Sequence, residues 1–164
     1  MNTFVANLPT AQDTHDFGAE LGRLLRGGDL VVLSGPLGAG KTALTQGIGA
    51  GMAVQGRIAS PTFVIARVHP PRDPGGVTLV HVDAYRLGSL AEVDDLDLDI
   101  AVTDSATVVE WGAGLVEQLA EARLVIDLQR GADSDERTAA LTPVGGDWAD
   151  RLARLPCPGA RPGR

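Results

Sequence analysis

The chain has little cysteine and little lysine. Its 164 residues include one cysteine, Cys157, and one lysine, Lys41. A single cysteine excludes a disulfide framework within the chain, which fits a reducing compartment, so we expect a cytoplasmic protein. No apolar run reaches the length of a membrane span, and the N-terminus lacks a basic segment followed by an apolar one. The sequence therefore predicts neither a membrane segment nor a secretory signal.

An excess of basic residues is also missing. The formal net charge is −7 at pH 7. Because a nucleic-acid backbone repels an acidic protein, we expect no DNA binding and no tight, independent binding to RNA. Hydrophobic residues make up 44% of the chain, enough for a full core. We predict a single phosphate-loop ATPase domain over residues 1–155, followed by a disordered tail rich in proline, glycine and arginine over residues 156–164.

The only lysine lies in a phosphate-binding pattern. Residues 35–42 read Gly-Pro-Leu-Gly-Ala-Gly-Lys-Thr, which matches Gly-x4-Gly-Lys-Thr. Glycines let the main chain wrap around phosphates because they lack a Cβ atom. The compact ammonium of Lys41 reaches between the β- and γ-phosphates, and the Thr42 hydroxyl is placed to ligate Mg²⁺. The other predicted nucleotide-binding residues of this loop are Leu37, Gly38, Ala39, Gly40 and Ala43.

The segments on either side of the loop fit this interpretation. Residues 30–33 form an uninterrupted apolar run, typical of a strand buried in a parallel sheet. After the loop, Leu44, Ile48 and Met52 have helical spacing. A strand, a glycine loop and a helix N-terminus bring backbone N–H groups together on an anion. The glycines at 47, 49 and 51 weaken this helix, and nothing in the sequence explains them.

The remaining segments predict an α/β fold. A capping box at Thr10 and Asp13 opens a helix that Gly27 and Gly28 close. Other expected elements are a short edge strand at 3–5, antiparallel strands at 63–68 and 77–82, an acidic helix or turn at 92–99, a helix around 115–119, a hairpin of 124–128 with 138–141, and a short last helix near 148–155. Parallel-type and hairpin-type strands together indicate a three-layer fold of the P-loop NTPase type with a mixed sheet.

Two acids follow apolar runs and complete the predicted site. Asp83 ends one run and Glu110 ends another. The carboxyl ends of strands in an open α/β sheet converge on the ligand crevice, so both acids are catalytic candidates beside Lys41. Asp83, the shorter, is the better Mg²⁺ ligand, whereas Glu110 could position the attacking water or accept its proton. The alternative is that each acid ends a strand and faces solvent.

The identity of the expected nucleotide follows from motifs that the sequence lacks. Guanine-specific proteins of this class read the base with an Asn/Thr-Lys-x-Asp segment, and no second lysine is available for one. The Ser-Gly-Gly-Gln signature of ABC ATPases is also missing. ATP with Mg²⁺ is therefore the expected ligand pair. A small-molecule kinase and a nucleotide-binding scaffold without hydrolysis remain alternatives, although Arg57, Arg67 and Arg72 are too scattered to form a kinase lid.

Four segments, in order, carry a resemblance to a known family. They are the phosphate loop, Ser-Pro-Thr-Phe at 60–63, His-Val-Asp-Ala-Tyr-Arg-Leu at 81–87, and Glu-Trp at 110–111. Over about residues 8–142 the chain resembles TsaE, also called YjeE, the ATPase of bacterial tRNA threonylcarbamoyladenosine biosynthesis. The resemblance implies that Thr42 and Asp83 serve Mg²⁺ and that Glu110 lies at the γ-phosphate.

The resemblance implies further site residues and a partner. Thr14 would lie beside the adenine, and residues 60–62 would form a switch in which Thr62 senses the γ-phosphate. Trp111 would stack near the nucleotide or a partner, with core filling as the alternative. The family further implies docking on the TsaB–TsaD heterodimer, which modifies adenosine 37 of ANN-decoding tRNAs. ATP hydrolysis, weak alone, would reset that complex, and tRNA would be met only through it.

Overall fold

The computed structural model describes residues 3–36, 39–56, 58, 66–83, 105–110, 122–131, 136–155 and 161–162. Its helices are α1 (Ala11–Leu24), α2 (Lys41–Met52) and α3 (Trp148–Leu152). Its strands are β1 (Phe4–Leu8), β2 (Leu30–Ser34), β3 (Ala66–His69), β4 (Leu79–Asp83), β5 (Ala106–Glu110), β6 (Arg123–Arg130), β7 (Arg137–Val144) and β8 (Arg161–Pro162). In the part of the chain so described, no helix is long and apolar enough to span a membrane.

The strands form one mixed sheet in the order β3-β4-β5-β2-β6-β7-β1-β8. The four central strands, β4, β5, β2 and β6, are parallel. Antiparallel strands extend the sheet on both sides. Because β5 and β6 lie on opposite sides of β2, the chain crosses over β2 between them. Such a switch point opens a crevice at the carboxyl ends of the parallel strands, next to the end of β2.

Both faces of the central sheet are covered. Leu33 of β2 belongs to the main core together with Leu44 and Ile48 of α2, so this face packs against the helix that follows the loop. On the opposite face, Val32 and Val109 are also fully buried. Successive strand residues point to opposite faces, so burial on both means that a layer lies on each side. The predicted α/β fold with a mixed sheet is confirmed.

Helix α1 begins at the predicted capping box. The Thr10 backbone N–H donates to Asp13 Oδ2 at 2.9 Å, and the Asp13 backbone N–H donates to Thr10 Oγ1 at 3.1 Å. These bonds satisfy two N–H groups that the first helical turn leaves without partners. The helix ends at Leu24, before the Gly27-Gly28 pair, because Leu25 is already extended at the C-cap.

The two long helices pack closely through their glycines. An ideal Cβ atom at Gly47 would lie 2.1 Å from the His15 carbonyl oxygen, and one at Gly51 would lie 2.0 Å from that of Ala19. From the α1 side, a Cβ atom at Gly18 would lie 2.4 Å from the Leu44 carbonyl oxygen. Side chains at these positions would force the backbones apart. Two of the three glycines that the sequence left unexplained, Gly47 and Gly51, therefore allow α2 to lie against α1.

An ion-pair cluster holds α3 against the rest of the domain. Arg151 donates to both Asp29 oxygens, with N–O distances of 2.7 and 2.8 Å, and to the Leu24 carbonyl oxygen at 2.9 Å. Its guanidinium also lies 3.9 Å from the centre of the Trp148 ring. The hydrogen bonds with Asp29 raise the pKa of Arg151 above its ordinary value. The predicted last helix thus exists and is fastened to the start of β2.

Several predicted boundaries differ from the structure. The strand predicted at 3–5 is β1, which pairs with β7 and, over its first two residues, with β8, so it is not an edge strand along its whole length. Residues 161–162, within the segment expected to be disordered, form β8. Both hairpin strands, β6 and β7, are longer than predicted. The segments expected at 92–99 and 115–119 lie outside the described residues.

Candidate nucleotide-binding site

The phosphate loop starts where β2 ends and needs glycine at two described positions. Gly35 has φ 144° and Gly40 has φ 98°, in the region that only glycine adopts readily. A Cβ atom at Gly35 would also lie 2.5 Å from the Leu128 carbonyl oxygen of β6. The chain therefore turns sharply from β2 towards α2 while staying against the neighbouring strand. This geometry places the loop at the carboxyl edge of the parallel strands.

The N-terminus of α2 is left open to an anion. Gly40 is the N-cap, so no side chain caps this helix, and no acidic residue lies in its first turn. Helix α1, in contrast, is closed by its capping box. An uncapped first turn offers backbone N–H groups and the positive end of the helix dipole to a negatively charged ligand. The structure thus provides a backbone cradle of the kind that binds phosphate.

Lys41 reaches back over the loop from the first turn of α2. Its Nζ donates to the carbonyl oxygens of Gly35 at 2.7 Å and of Pro36 at 3.2 Å, and the residue is 7% exposed. The ammonium is therefore held at the mouth of the cradle. Thr42 and Ala43 follow in the same turn and are partly exposed, whereas Ala39 is buried in the loop.

The two predicted acids end neighbouring strands. Asp83 is the last residue of β4 and pairs with Glu110, the last residue of β5, and Leu33 of β2 pairs with Glu110 on its other side. All three strands therefore end at the edge where the phosphate loop begins. Glu110 is only 3% exposed, so the alternative that it faces solvent is wrong. Its Oε1 accepts a hydrogen bond from Nε2 of His81 at 3.1 Å.

The structure adds a residue that the sequence interpretation missed. A Cβ atom at Gly40 would lie 3.6 Å from Nε of Arg137 and 3.8 Å from Cγ2 of Thr14, so both side chains border the loop. Arg137 begins β7, opposite Arg130 at the end of β6. A hairpin strand that follows a parallel strand starts at that strand's carboxyl edge. The predicted hairpin therefore contained the signal that would have located Arg137.

The residues present fit a magnesium ion held largely by phosphates. The hydroxyl of Thr42 and the carboxylate that Asp83 contributes by residue type are oxygen donors, which Mg²⁺ prefers. Among the described residues, no group of three His, Cys, Asp or Glu side chains forms a cage for a metal. Nucleotide-bound Mg²⁺ needs no such cage, because one or two protein oxygens, phosphates and waters complete its shell.

The family is decided by a match that covers this whole site. Residues 8–139 match the family model described as threonylcarbamoyl adenosine biosynthesis protein TsaE. The chain belongs to the TsaE family. The matched range runs from before Thr14 to after Arg137, and so includes both of these residues and the whole phosphate loop.

Named TsaE proteins are similar over most of their length. The tRNA threonylcarbamoyladenosine biosynthesis protein TsaE of Streptomyces coelicolor is 56% identical over 138 residues, which is 82% of this chain and 93% of that protein. The TsaE protein of Mycobacterium tuberculosis is 52% identical over 140 residues, with 82% of this chain and 83% of that protein covered. The similarity therefore extends well beyond the phosphate loop.

A solved structure agrees with this TsaE fold. The crystal structure of YdiB from Bacillus subtilis superposes with a TM-score of 0.75 at 27% sequence identity. The superposition covers 94% of this chain and 95% of YdiB.

Four of the residues expected at the nucleotide, Leu37, Gly38, Thr62 and Trp111, lie outside the described residues, as do Ser60 and Pro61 of the predicted switch. Their roles stay predictions.

Proposed function

We propose that this TsaE-family chain is a Mg²⁺-dependent ATPase that takes part in forming threonylcarbamoyladenosine in tRNA. The observation that carries the proposal is the arrangement at the carboxyl edge of the sheet. There the Lys41 ammonium is held by the Gly35 carbonyl oxygen of the loop that leads into the uncapped N-terminus of α2, and the buried carboxylate of Glu110 ends the strand next to β2. A cation with backbone donors suits a triphosphate, and a nearby carboxylate suits an attacking water.

Binding of ATP uses contacts that the loop already prepares. The N–H groups of the first turn of α2 receive phosphate oxygens, and Nζ of Lys41 exchanges the carbonyl oxygens of Gly35 and Pro36 for them. Thr14 and Arg137, which flank Gly40, contact the nucleoside side of the ligand. Thr42 and Asp83 would hold a Mg²⁺ ion, which would supply neutralisation of phosphate charge.

Hydrolysis depends on the orientation of water by Glu110. Its carboxylate accepts a hydrogen bond from the attacking water and either orients it or takes its proton. Lys41 and the loop amides stabilise the negative charge on the transferred phosphoryl group. Few groups are needed because positioning and charge stabilisation supply most of the catalysis in phosphoryl transfer.

A protein partner fits the acidic character of the chain. With a net charge of −7, the chain is not suited to hold tRNA by itself. Several relatives are named for tRNA threonylcarbamoyladenosine biosynthesis. We therefore propose that it docks on the TsaB–TsaD heterodimer, that hydrolysis resets this complex between cycles, and that tRNA is contacted only through it.

The test measures ATP turnover by the chain alone and with the TsaB–TsaD pair. We expect slow release of inorganic phosphate that rises when the pair is added, together with formation of the modified nucleoside in tRNA. Lys41→Met removes the ammonium and keeps the apolar stem, so turnover is expected to fall by about 100-fold or more. Arg72→Met, at an exposed turn residue, removes a cation of the same charge and is the matched control.

Three results would contradict the proposal. Equal turnover with and without the pair would remove the regulatory role. Labelled γ-phosphate that moves to a metabolite instead of water would indicate the small-molecule kinase. Full turnover in Lys41→Met would mean that the phosphate loop is not the site of hydrolysis.

A further inference from the structure

The contact between His81 and Glu110 is buried within the sheet. The His81 side chain is 0% exposed and that of Glu110 is 4% exposed, with 3.1 Å between Nε2 and Oε1. A carboxylate oxygen can only accept a hydrogen bond, so Nε2 carries the hydrogen and donates it. This contact occupies one oxygen of Glu110 and leaves the other for a further partner.

The strand register explains how the two side chains meet. Parallel pairing places His81 beside Val108 and Asp83 beside Glu110. Residues two apart on a strand point to the same face, so His81 lies on the face of Glu110 and reaches it diagonally. Leu33, which pairs with Glu110, is in the core with Leu44 of α2. The contact therefore lies on the face of the sheet that α2 covers.

A buried histidine costs free energy that an aliphatic side chain would not cost, if this position needs only to be filled. Nδ1 of His81 is buried and has no hydrogen-bond partner among the described residues. A buried polar atom without a partner costs free energy, and an aliphatic residue would fill a similar volume without that cost. The neighbours of His81 along β4, Val80 and Val82, are aliphatic and buried. What histidine adds at this position is the donor to Glu110.

We propose that His81 is a positioning residue for Glu110. The hydrogen bond from Nε2 fixes the carboxylate so that its second oxygen meets the water that attacks the γ-phosphate. A free glutamate side chain samples several rotamers, and each incorrect one removes the water from its line of attack. This inference rests on the proposed ATPase function. It explains how the Glu110 carboxylate that binds the water is kept in its orientation.

The first experiment separates turnover from nucleotide binding. ATP hydrolysis with the TsaB–TsaD pair is compared for the wild type and His81→Leu. We expect kcat to fall by about 10- to 100-fold, because a hydrogen bond to a charged group is lost. The KM for ATP and the affinity for a fluorescent ADP analogue are expected to change by less than about threefold, because the phosphate loop keeps its contacts.

Two polar variants serve as a matched pair, also in case His81→Leu does not fold. The amide nitrogen of His81→Gln can reach the place of Nε2, so this variant is expected to keep most of the turnover. The shorter side chain of His81→Asn places its amide nearer the place of Nδ1, so turnover is expected to fall as in His81→Leu. Both variants keep a polar side chain in the same buried position.

A double-mutant cycle tests whether His81 acts through Glu110. In a Glu110→Gln background, His81→Leu is expected to change kcat by less than about twofold, because there is no carboxylate left to position. A readout without turnover is the NMR signal of the Nε2–H group. The chain has three histidines, so assignment is simple, and the slowly exchanging His81 signal expected in the wild type should be lost in Glu110→Ala.

The outcomes separate this inference from the proposed function. If wild type and His81→Leu have equal kcat, or if His81→Asn is as active as His81→Gln, the positioning role is overturned and the ATPase stands. An equal loss of kcat in both backgrounds, accompanied by a loss of stability in urea, would also overturn it in favour of a purely structural role. If the wild type hydrolyses no ATP with its partner, the proposed function fails and this inference fails with it.

Discussion

At the residue scale, those parts of the phosphate site whose residues are close together in the sequence could be predicted from it. The loop residues from Gly35 to Thr42 are consecutive, so their types and spacing alone predict the cradle. Asp83 and Glu110 were predictable because each ends an apolar run. His81 was not, because its relevance depends on which strands are neighbours. Arg137 was missed although the predicted hairpin placed the start of its second strand at the same edge of the sheet.

The testable prediction at the residue scale concerns the contribution of Arg137 to ATP binding. Its Nε lies 3.6 Å from the place of a Cβ atom at Gly40, so the guanidinium is beside the cradle. Arg137→Met keeps much of the apolar stem and removes the charged head. We expect ATP to bind about tenfold more weakly, because a charge-assisted hydrogen bond is lost. Titration calorimetry with a non-hydrolysable ATP analogue measures the change.

The control for Arg137 is the exposed arginine of the β3–β4 turn. Arg72→Met removes the same charge from the chain as a whole, so it reveals any general electrostatic effect on ATP affinity. If both variants weaken binding equally, Arg137 contributes only to the field of the whole molecule. Unchanged affinity in Arg137→Met would exclude a direct contact with the nucleotide.

At the element scale, helix propensity disfavours the glycines of α2, whereas packing against α1 requires two of them. Glycine is about 1 kcal/mol less favourable than alanine inside a helix, so propensity alone argues against glycine at 47 and 51. The structure shows why it is present, since backbone atoms of α1 occupy the space of a side chain. The helix itself was predictable from its apolar spacing. Its contact with α1 was not, because nothing local in the sequence identifies the partner.

Gly47→Ala tests this packing. The added methyl group would lie 2.1 Å from the His15 carbonyl oxygen, and a backbone atom cannot rotate away. Overpacking of this kind costs about 1–3 kcal/mol or more, against a gain of about 1 kcal/mol in helix propensity. Because the contact is with a backbone atom, the cost lies near the upper end of this range, and we expect the free energy of unfolding to fall by about 2 kcal/mol in net terms. Urea denaturation followed by circular dichroism measures it.

Two other glycines calibrate the result. A Cβ atom at Gly49 would meet Cδ1 of Ile58, the end of a side chain that can move, so Gly49→Ala is expected to cost less. A Cβ atom at Gly75 would have no atom within 4 Å, so Gly75→Ala is expected to be neutral or stabilising by up to about 1 kcal/mol. A Gly47→Ala protein as stable as Gly75→Ala would mean that the helices separate without cost.

At the scale of the whole molecule, local turns were easier to predict than the order of the strands. The β3–β4 and β6–β7 pairs join strands that are close in sequence, and both were predicted as antiparallel. The order β4-β5-β2-β6 depends on crossovers between distant segments. The sequence of a buried apolar strand does not indicate which strands pair with it. The fold class was therefore accessible from the pattern of elements, while the exact sheet order needed the structure.

The ion pair between Arg151 and Asp29 is a second long-range feature. It joins α3 to the start of β2, and residues so far apart in sequence give no sign that they will meet. Both side chains are largely buried, with 6% and 10% exposure. A surface pair would contribute little to stability, whereas the loss of one partner of a buried pair leaves a charge without compensation.

Arg151→Met is expected to lower the free energy of unfolding by about 3 kcal/mol, mainly because the Asp29 carboxylate stays buried without its partner. Arg154→Met, at an exposed arginine just after α3, is the control and is expected to change stability by less than about 0.5 kcal/mol. Urea denaturation of both variants gives the comparison. Equal stability of Arg151→Met and Arg154→Met would mean that α3 is not held by this pair.

The double variant Asp29→Asn/Arg151→Met decides what the pair contributes. When both charges are removed, no buried charge is left alone, so the loss of stability should be smaller than the sum of the two single losses. A coupling of more than about 1 kcal/mol would show that the cost of Arg151→Met arises from the stranded carboxylate. Additive losses would instead assign it to the other contacts of Arg151, with the Leu24 carbonyl oxygen and the Trp148 ring.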